Sequence, residues 1–176
     1  MLRRYSEVLN LPVLCADSGK KAGVVKDVIF NLESREVEGF LLENKLPLNR
    51  RVVLYSEVVS LGNDAAIVDS SSCVTDMDRA AFSEAFPDEG CLLGLKVFST
   101  AGGELGVVKD VLFDYQTGRI EGFEISDGLL QDVMQGRKLL PLFGKVEFGE
   151  EFAVVGEEAV EEMEDTGGGI RNRLFK

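Results

Sequence analysis

Histidine and tryptophan are absent from this 176-residue chain, and cysteine occurs only three times. Without imidazole there is no Ser-His-Asp triad, no Cys-His dyad, no histidine proton relay and no histidine-ligated zinc. Cys15, Cys73 and Cys91 form an odd, widely spaced set. Such a set fits neither a disulfide framework nor a paired-cysteine metal knuckle, and reads as small buried hydrophobes in a reducing compartment. Basic residues are outnumbered, 19 Lys+Arg against 31 Asp+Glu, for a net charge of −12. Phosphate binding depends on clustered Lys and Arg, so no nucleic acid partner is expected. No stretch approaches the roughly 20 apolar residues that cross a bilayer. The opening MLRRYSEVLNLPVL holds Arg3 and Arg4 but no apolar run suited to a signal peptide. The expected location is the cytoplasm, with the inner face of the membrane as a peripheral alternative.

What the chain does have is a core-forming composition and a duplication. Hydrophobic residues make up 45 % of it, enough for a folded interior. Residues 23–40 (GVVKDVIFNLESREVEGF) and 106–123 (GVVKDVLFDYQTGRIEGF) agree at 10 of 18 positions, at an offset of 83. Unrelated windows of this length share about one identity, so the chain is read as a tandem repeat. The likeness continues weakly at an offset of 87, RRVVLYSEVVSLGNDAAIV (50–68) against RKLLPLFGKVEFGEEFAVV (137–155), so the second copy has gained four residues. The repeated positions include Gly23, Asp27 and Gly39 in the first copy and Gly106, Asp110 and Gly122 in the second. They are read as structural requirements of the fold.

Each copy reads as short apolar, β-branched strands between turn residues. The first gives Pro12–Ala16, Gly23–Asn31, Val37–Glu43, Val52–Leu54, Val58–Leu61 and Ala65–Val68; the second gives Leu95–Ser99, Leu105–Asp114, Arg119–Ser126, Lys138–Leu142, Val146–Phe148 and Phe152–Val155. Five or six short strands in about 60 residues predict a small antiparallel barrel, because closure removes the exposed edges. The fold class is therefore mainly β, two tandem small barrels with a short linker helix and a flexible C-terminal tail. The long strand of each copy does not alternate cleanly, since Val24, Lys26, Val28 and Phe30 share one face and Val25, Asp27 and Ile29 the other. A bulge resolves this, or burial of both faces, one inside the barrel and one beneath a neighbouring element.

The domains are expected at 1–70 and 91–156, with a linker at 71–90 and an acidic segment and basic tail at 157–176. In the linker, Thr75 or Asp76 is expected to cap a helix carrying Phe82 and Phe86 on one face, ending at Pro87 and packing between the barrels. The insertion 127–137 (DGLLQDVMQGR) fits a further helical turn and a half. Six acids in Glu157–Asp165 precede Gly167-Gly168-Gly169 and a basic tail. The acidic run is expected as a frayed helix. Ile170, Arg171, Arg173, Leu174, Phe175 and Lys176 are the candidate partner-binding residues, a cationic hook whose three charges are worth on the order of 3 kcal/mol at an anionic leaflet.

No pattern selects a catalytic group. The repeated Lys26-Asp27 and Lys109-Asp110 read as an Asp accepting backbone N–H bonds beside an outward Lys, rather than as an acid/base pair. SGKKAG (18–23) and AGGELG (101–106) lie between strands and lack the GK[ST] of a phosphate loop, so they read as hairpin turns. Asp76-Met77-Asp78 lacks the remaining ligands of a calcium loop. The expectation is no catalytic residue, no metal and no cofactor.

The order LPVLCADSGKKAGVVKDVIFN, VEGFLL, VVLYSEVVSLGNDAAIV, matched by LGLKVFSTAGGELGVVKDVLFD, RIEGFEI, LLPLFGKVEFGEEFAVV, resembles the PRC-barrel domain. The doubling is similar to that of uncharacterised tandem PRC-barrel proteins of Gram-positive bacteria. The resemblance implies a small all-β barrel that serves as a docking module. It does so in the H subunit of the photosynthetic reaction centre and in the C-terminal domain of the ribosome-maturation factor. Neither setting supplies a catalytic motif, and the resemblance extends neither to the transmembrane helix of the one nor to the N-terminal domain of the other. The expected function is a non-enzymatic adaptor that binds an unidentified protein through barrel surface or inter-barrel groove. The alternatives are a peripheral membrane protein using the tail and a small-ligand binder in the inter-barrel cleft. Homodimerisation is left open.

Overall fold

The computed structural model describes residues 1–126 and 137–165. The chain divides into two compact units, one formed by residues 5–89 and the other by residues 1–4 together with the chain from residue 90 onward. The strands are β1 (Leu2–Arg4), β2 (Pro12–Cys15), β3 (Lys21–Asn31), β4 (Glu36–Leu42), β5 (Asn49–Leu54), β6 (Val58–Leu61), β7 (Ala66–Val68) and β8 (Val74–Asp78). They continue with β9 (Lys96–Ser99), β10 (Glu104–Asp114), β11 (Ile120–Ser126), β12 (Lys138–Pro141), β13 (Val146–Phe148), β14 (Phe152–Val155) and β15 (Glu164–Asp165). Short helices are α1 (Tyr5–Val8), α2 (Arg79–Ala85) and α3 (Glu157–Glu161).

The unit of residues 5–89 is a barrel-like sheet in the order β6-β7-β2-β3-β4-β5-β8. The other unit repeats it as β13-β14-β9-β10-β11-β12-β15, with β1 added beside β10. The pairing is antiparallel except once in each copy, where β7 returns parallel to β2 and β14 parallel to β9. A parallel pair requires a long crossover, and here the intervening strands of each copy are that crossover. The same backbone bonds recur in both. Val25 N–H donates to the Leu11 carbonyl at 2.9 Å, and Val108 N–H to the Leu95 carbonyl at 2.9 Å. Asn10 and Gly94 hold positive φ at the matching turn (67° and 86°), which both residue types tolerate.

The irregular long strand has both of its expected causes. β3 and β4 slip register between Val25/Asp27 and again between Ile29/Phe30; β10 and β11 slip between Val108/Asp110 and between Leu112/Phe113. Beyond the first bulge, Val28, Ile29 and Phe30 are all buried, as are Val111, Leu112 and Phe113. In the first repeat the outer face is covered by α2: Ile29, Leu41 and Val52 form one cluster with Phe82 and Phe86.

That cluster revises the reading of the linker. Residues 74–78 are a strand, β8, paired to β5 from Asn49↔Asp78 to Val53↔Val74. The helix cap is Asp78, which accepts the Ala81 N–H at 2.8 Å, because Thr75 and Asp76 are held in the ladder. The helix does lay Phe82 and Phe86 side by side, ring centroids 5.2 Å apart, and they close the first repeat's own sheet. The first four residues, expected in the first barrel, pair instead with the second, from Leu2↔Asp114 to Arg4↔Leu112. The acidic run is also ordered: α3 buries Ala159 completely, and Glu157 accepts the Ala101 N–H at 3.0 Å. Glu164 and Asp165 then pair with Leu139 and Lys138.

Candidate functional site

The repeated Asp sits at the first bulge of each long strand. There the turned backbone exposes an N–H that the side chain answers. Asp27 Oδ1 accepts from Val28 N–H at 2.8 Å and Asp110 Oδ1 from Val111 N–H at 2.9 Å. Asp27 also accepts from the Tyr5 hydroxyl at 2.8 Å. Lys26 and Lys109 point to solvent. The repeated glycines mark close approaches. A Cβ on Gly39 would stand 2.6 Å from the Val53 carbonyl oxygen, and one on Gly122 would stand 2.9 Å from that of Leu140. A Cβ on Gly23 would meet the Leu42 side chain at 2.9 Å, and one on Gly106 would meet the Ser126 carbonyl oxygen at 2.5 Å.

The second repeat carries an ionic cluster around a buried carboxylate that the first lacks. Opposite Asp110 stands Glu124, while opposite Asp27 stands Leu41. Glu124 is buried and is met by Arg4 at 2.6 Å and Arg137 at 3.4 Å. Nearby, the Met1 amine lies 2.7 Å from Asp114 and, by hydrogen bonding, holds that carboxyl below its ordinary value. Charges on three separate stretches of chain converge here, and they serve to seat β1.

In the first repeat, charge gathers at the surface. An open cleft of about 960 Å³ lies at the end of the barrel where β4 passes into β5. Lys21, Lys26, Lys45 and Arg51 line it, with Glu43 and Asp76 as its acids. Arg51 is part of the wall: its Nη2 donates to the Ala22 carbonyl at 2.8 Å and its Nε lies 3.5 Å from Asp76. Among the described residues, no carboxylate comes within ion-pair distance of Lys21, Lys26 or Lys45. The β4–β5 loop is held by Asn44, whose Nδ2 donates to the Asn49 carbonyl at 2.8 Å and whose Oδ1 accepts from Leu46 N–H at 3.1 Å. It presents Leu46 and Leu48 to solvent, 64 % and 79 % exposed.

The sequence reading missed this cleft, because its lysines lie on separate elements and each alone is an ordinary solvated residue. One signal was present. At the repeat offset, Lys21 matches Glu104, so the two copies differ in charge sign at this point of the long strand. The tail residues Ile170, Arg171, Arg173, Leu174, Phe175 and Lys176 lie outside the described residues, as does the insertion up to residue 136. Among the described residues, no group of three or more Cys, Asp or Glu could hold a metal ion, and no helix is long and apolar enough to cross a membrane.

The chain matches the PRC-barrel domain family over residues 2–72 and 92–155. It is 27 % identical over 140 residues to the uncharacterised protein YrrD of Bacillus subtilis (strain 168), an alignment covering 78 % of this chain and 77 % of that protein. With two matched segments spanning most of its length, the chain belongs to the PRC-barrel family, in a tandem form.

Proposed function

We propose that this PRC-barrel protein is a non-enzymatic adaptor that binds another protein through the surface of its first barrel, at the end where β4 passes into β5. The observation that carries the reading is the company kept there. Three lysines with no ion-pair partner among the described residues and the exposed Leu46 line one cleft, and the same loop leaves Leu48 exposed. Solvated lysines cost nothing, but leucines left in water beside them forgo about 1.5–3 kcal/mol each in burial that a partner would supply. The loop is also pinned by Asn44 rather than left slack, which lowers the entropy cost of binding. The repeats share the bonds that build the barrel and differ in charge at Lys21/Glu104, as a docking face on one copy requires. We place the chain in the cytoplasm.

The test is purification of the tagged full-length chain from its source cells under native conditions, with quantitative mass spectrometry. The reading expects a protein partner in stoichiometric amount. Repeated recovery of the chain alone contradicts it.

A further inference from the structure

We infer that the cleft lined by Lys21, Lys26 and Lys45 takes a short acidic peptide segment bearing an aliphatic side chain, carboxylates to the lysines and the aliphatic group to Leu46 and Leu48; this rests on the adaptor reading above. Charge complementarity selects the occupant. The chain as a whole carries −12, yet the cleft has four cationic side chains against two acids. Arg51 is already committed to the Ala22 carbonyl and Asp76, so the three lysines are the charge on offer. They are exposed, and ammonium groups on flexible stems can follow carboxylates of varied spacing. Leu46 in the lining, with the exposed Leu48 two residues on in the same loop, adds a contact that a purely ionic ligand would not use.

Other anionic partners fit less well. A nucleic acid or an anionic bilayer presents charge continuously, so it would meet the repulsion of the whole acidic chain. A short peptide meets only the local field. Glu43 and Asp76 line the same cleft; they repel any anion, but they can accept peptide N–H groups, which a phosphodiester does not offer. The cleft is concave and open at one end of the barrel, which suits a chain segment better than a flat surface.

The experiment selects a displayed library of random 12-residue peptides on the full-length protein at low salt. The selected peptides are then synthesised and titrated by fluorescence anisotropy. Enrichment of Asp and Glu together with at least one Leu, Ile or Val is expected. Three exposed ion pairs, each worth a factor of about five, predict that Lys21→Glu/Lys26→Glu/Lys45→Glu weakens binding about 100-fold. The milder Lys→Gln triple variant should weaken it less, and Leu46→Ser/Leu48→Ser should weaken it about tenfold. Affinity should also fall as salt is raised. Thermal melting matched to the parent chain shows that each variant is folded. Phosphatidylglycerol vesicles and a 20-base-pair DNA duplex should not be retained. Selected peptides without acidic excess, peptides bound equally by parent and triple variant, or vesicle or duplex binding that the triple variant abolishes would each overturn the inference. A stoichiometric partner that still binds the triple variant leaves the adaptor reading standing and removes this one.

Discussion

Arg4 and Glu124 meet at 2.6 Å, so a guanidinium from β1 answers a buried carboxylate of β11 in the second repeat. The matching position in the first repeat is Leu41. A buried carboxylate is tolerated only while its charge is met. Among the described residues, Arg4→Ala leaves Glu124 with Arg137 alone at 3.4 Å, and a loss of about 1–3 kcal/mol is expected. Glu124→Leu, which installs the residue of the first repeat, should cost less, because the Arg4 side chain is 43 % exposed and can turn to water. Urea denaturation of the two variants checks this; equal losses would contradict the asymmetry.

The bulge aspartates act as hydrogen-bond acceptors rather than through charge. Asp110→Ala strands the buried Val111 N–H, at a cost of about 1–3 kcal/mol. Asp27→Ala should cost a similar amount through Val28 and also release the Tyr5 hydroxyl. The Asn variants keep the acceptor oxygen and should retain most of the stability. If Asn proves as damaging as Ala in equilibrium unfolding, the charge itself is required and the bulge account fails.

Glu38 gives a pH signature. Burial lifts its carboxyl above the ordinary 4.5, repulsion from Asp88 adds to this, and a hydrogen bond with Asn31 opposes both. A raised folded-state value means the protonated form is preferred, so stability falls as pH rises through and above 4.5. Glu38→Gln should therefore melt higher than the parent chain at pH 7, and the advantage should vanish below about pH 4. A constant difference across that range in thermal scans would exclude Glu38 as its source.

Burial distinguishes two phenylalanines of different worth. Phe82 is 3 % exposed over Ile29, Leu41 and Val52, whereas Phe152 is 48 % exposed. Phe82→Ala should cost about 3–5 kcal/mol and Phe152→Ala under about 1 kcal/mol, as read from chemical denaturation. Similar values would mean that α2 does not seal the first sheet.

The duplication made the strands and the bulge legible, because one pattern written twice distinguishes fold from accident. Lys26-Asp27 breaks the alternation at the same point as Lys109-Asp110, and both fall where the ladders slip. What stayed hidden was decided by long-range pairing. Leu2–Arg4 is too short to show a period, and it pairs with residues 112–114. Val74–Asp78 carries helix-capping residues, yet the ladder with β5 overrides their local preference. The cleft was hidden for a related reason: Lys21, Lys26 and Lys45 share a face only once β3 and the β4–β5 loop are folded.

The most direct measurement of the central claim is in-cell crosslinking with an amine-reactive reagent, followed by mass spectrometric mapping of the chain's lysines. The account predicts that crosslinks to a partner protein concentrate on Lys21, Lys26 and Lys45, with partner positions lying beside acidic residues. Partner crosslinks confined to Lys96, Lys109, Lys138 and Lys145 would contradict docking at the first barrel.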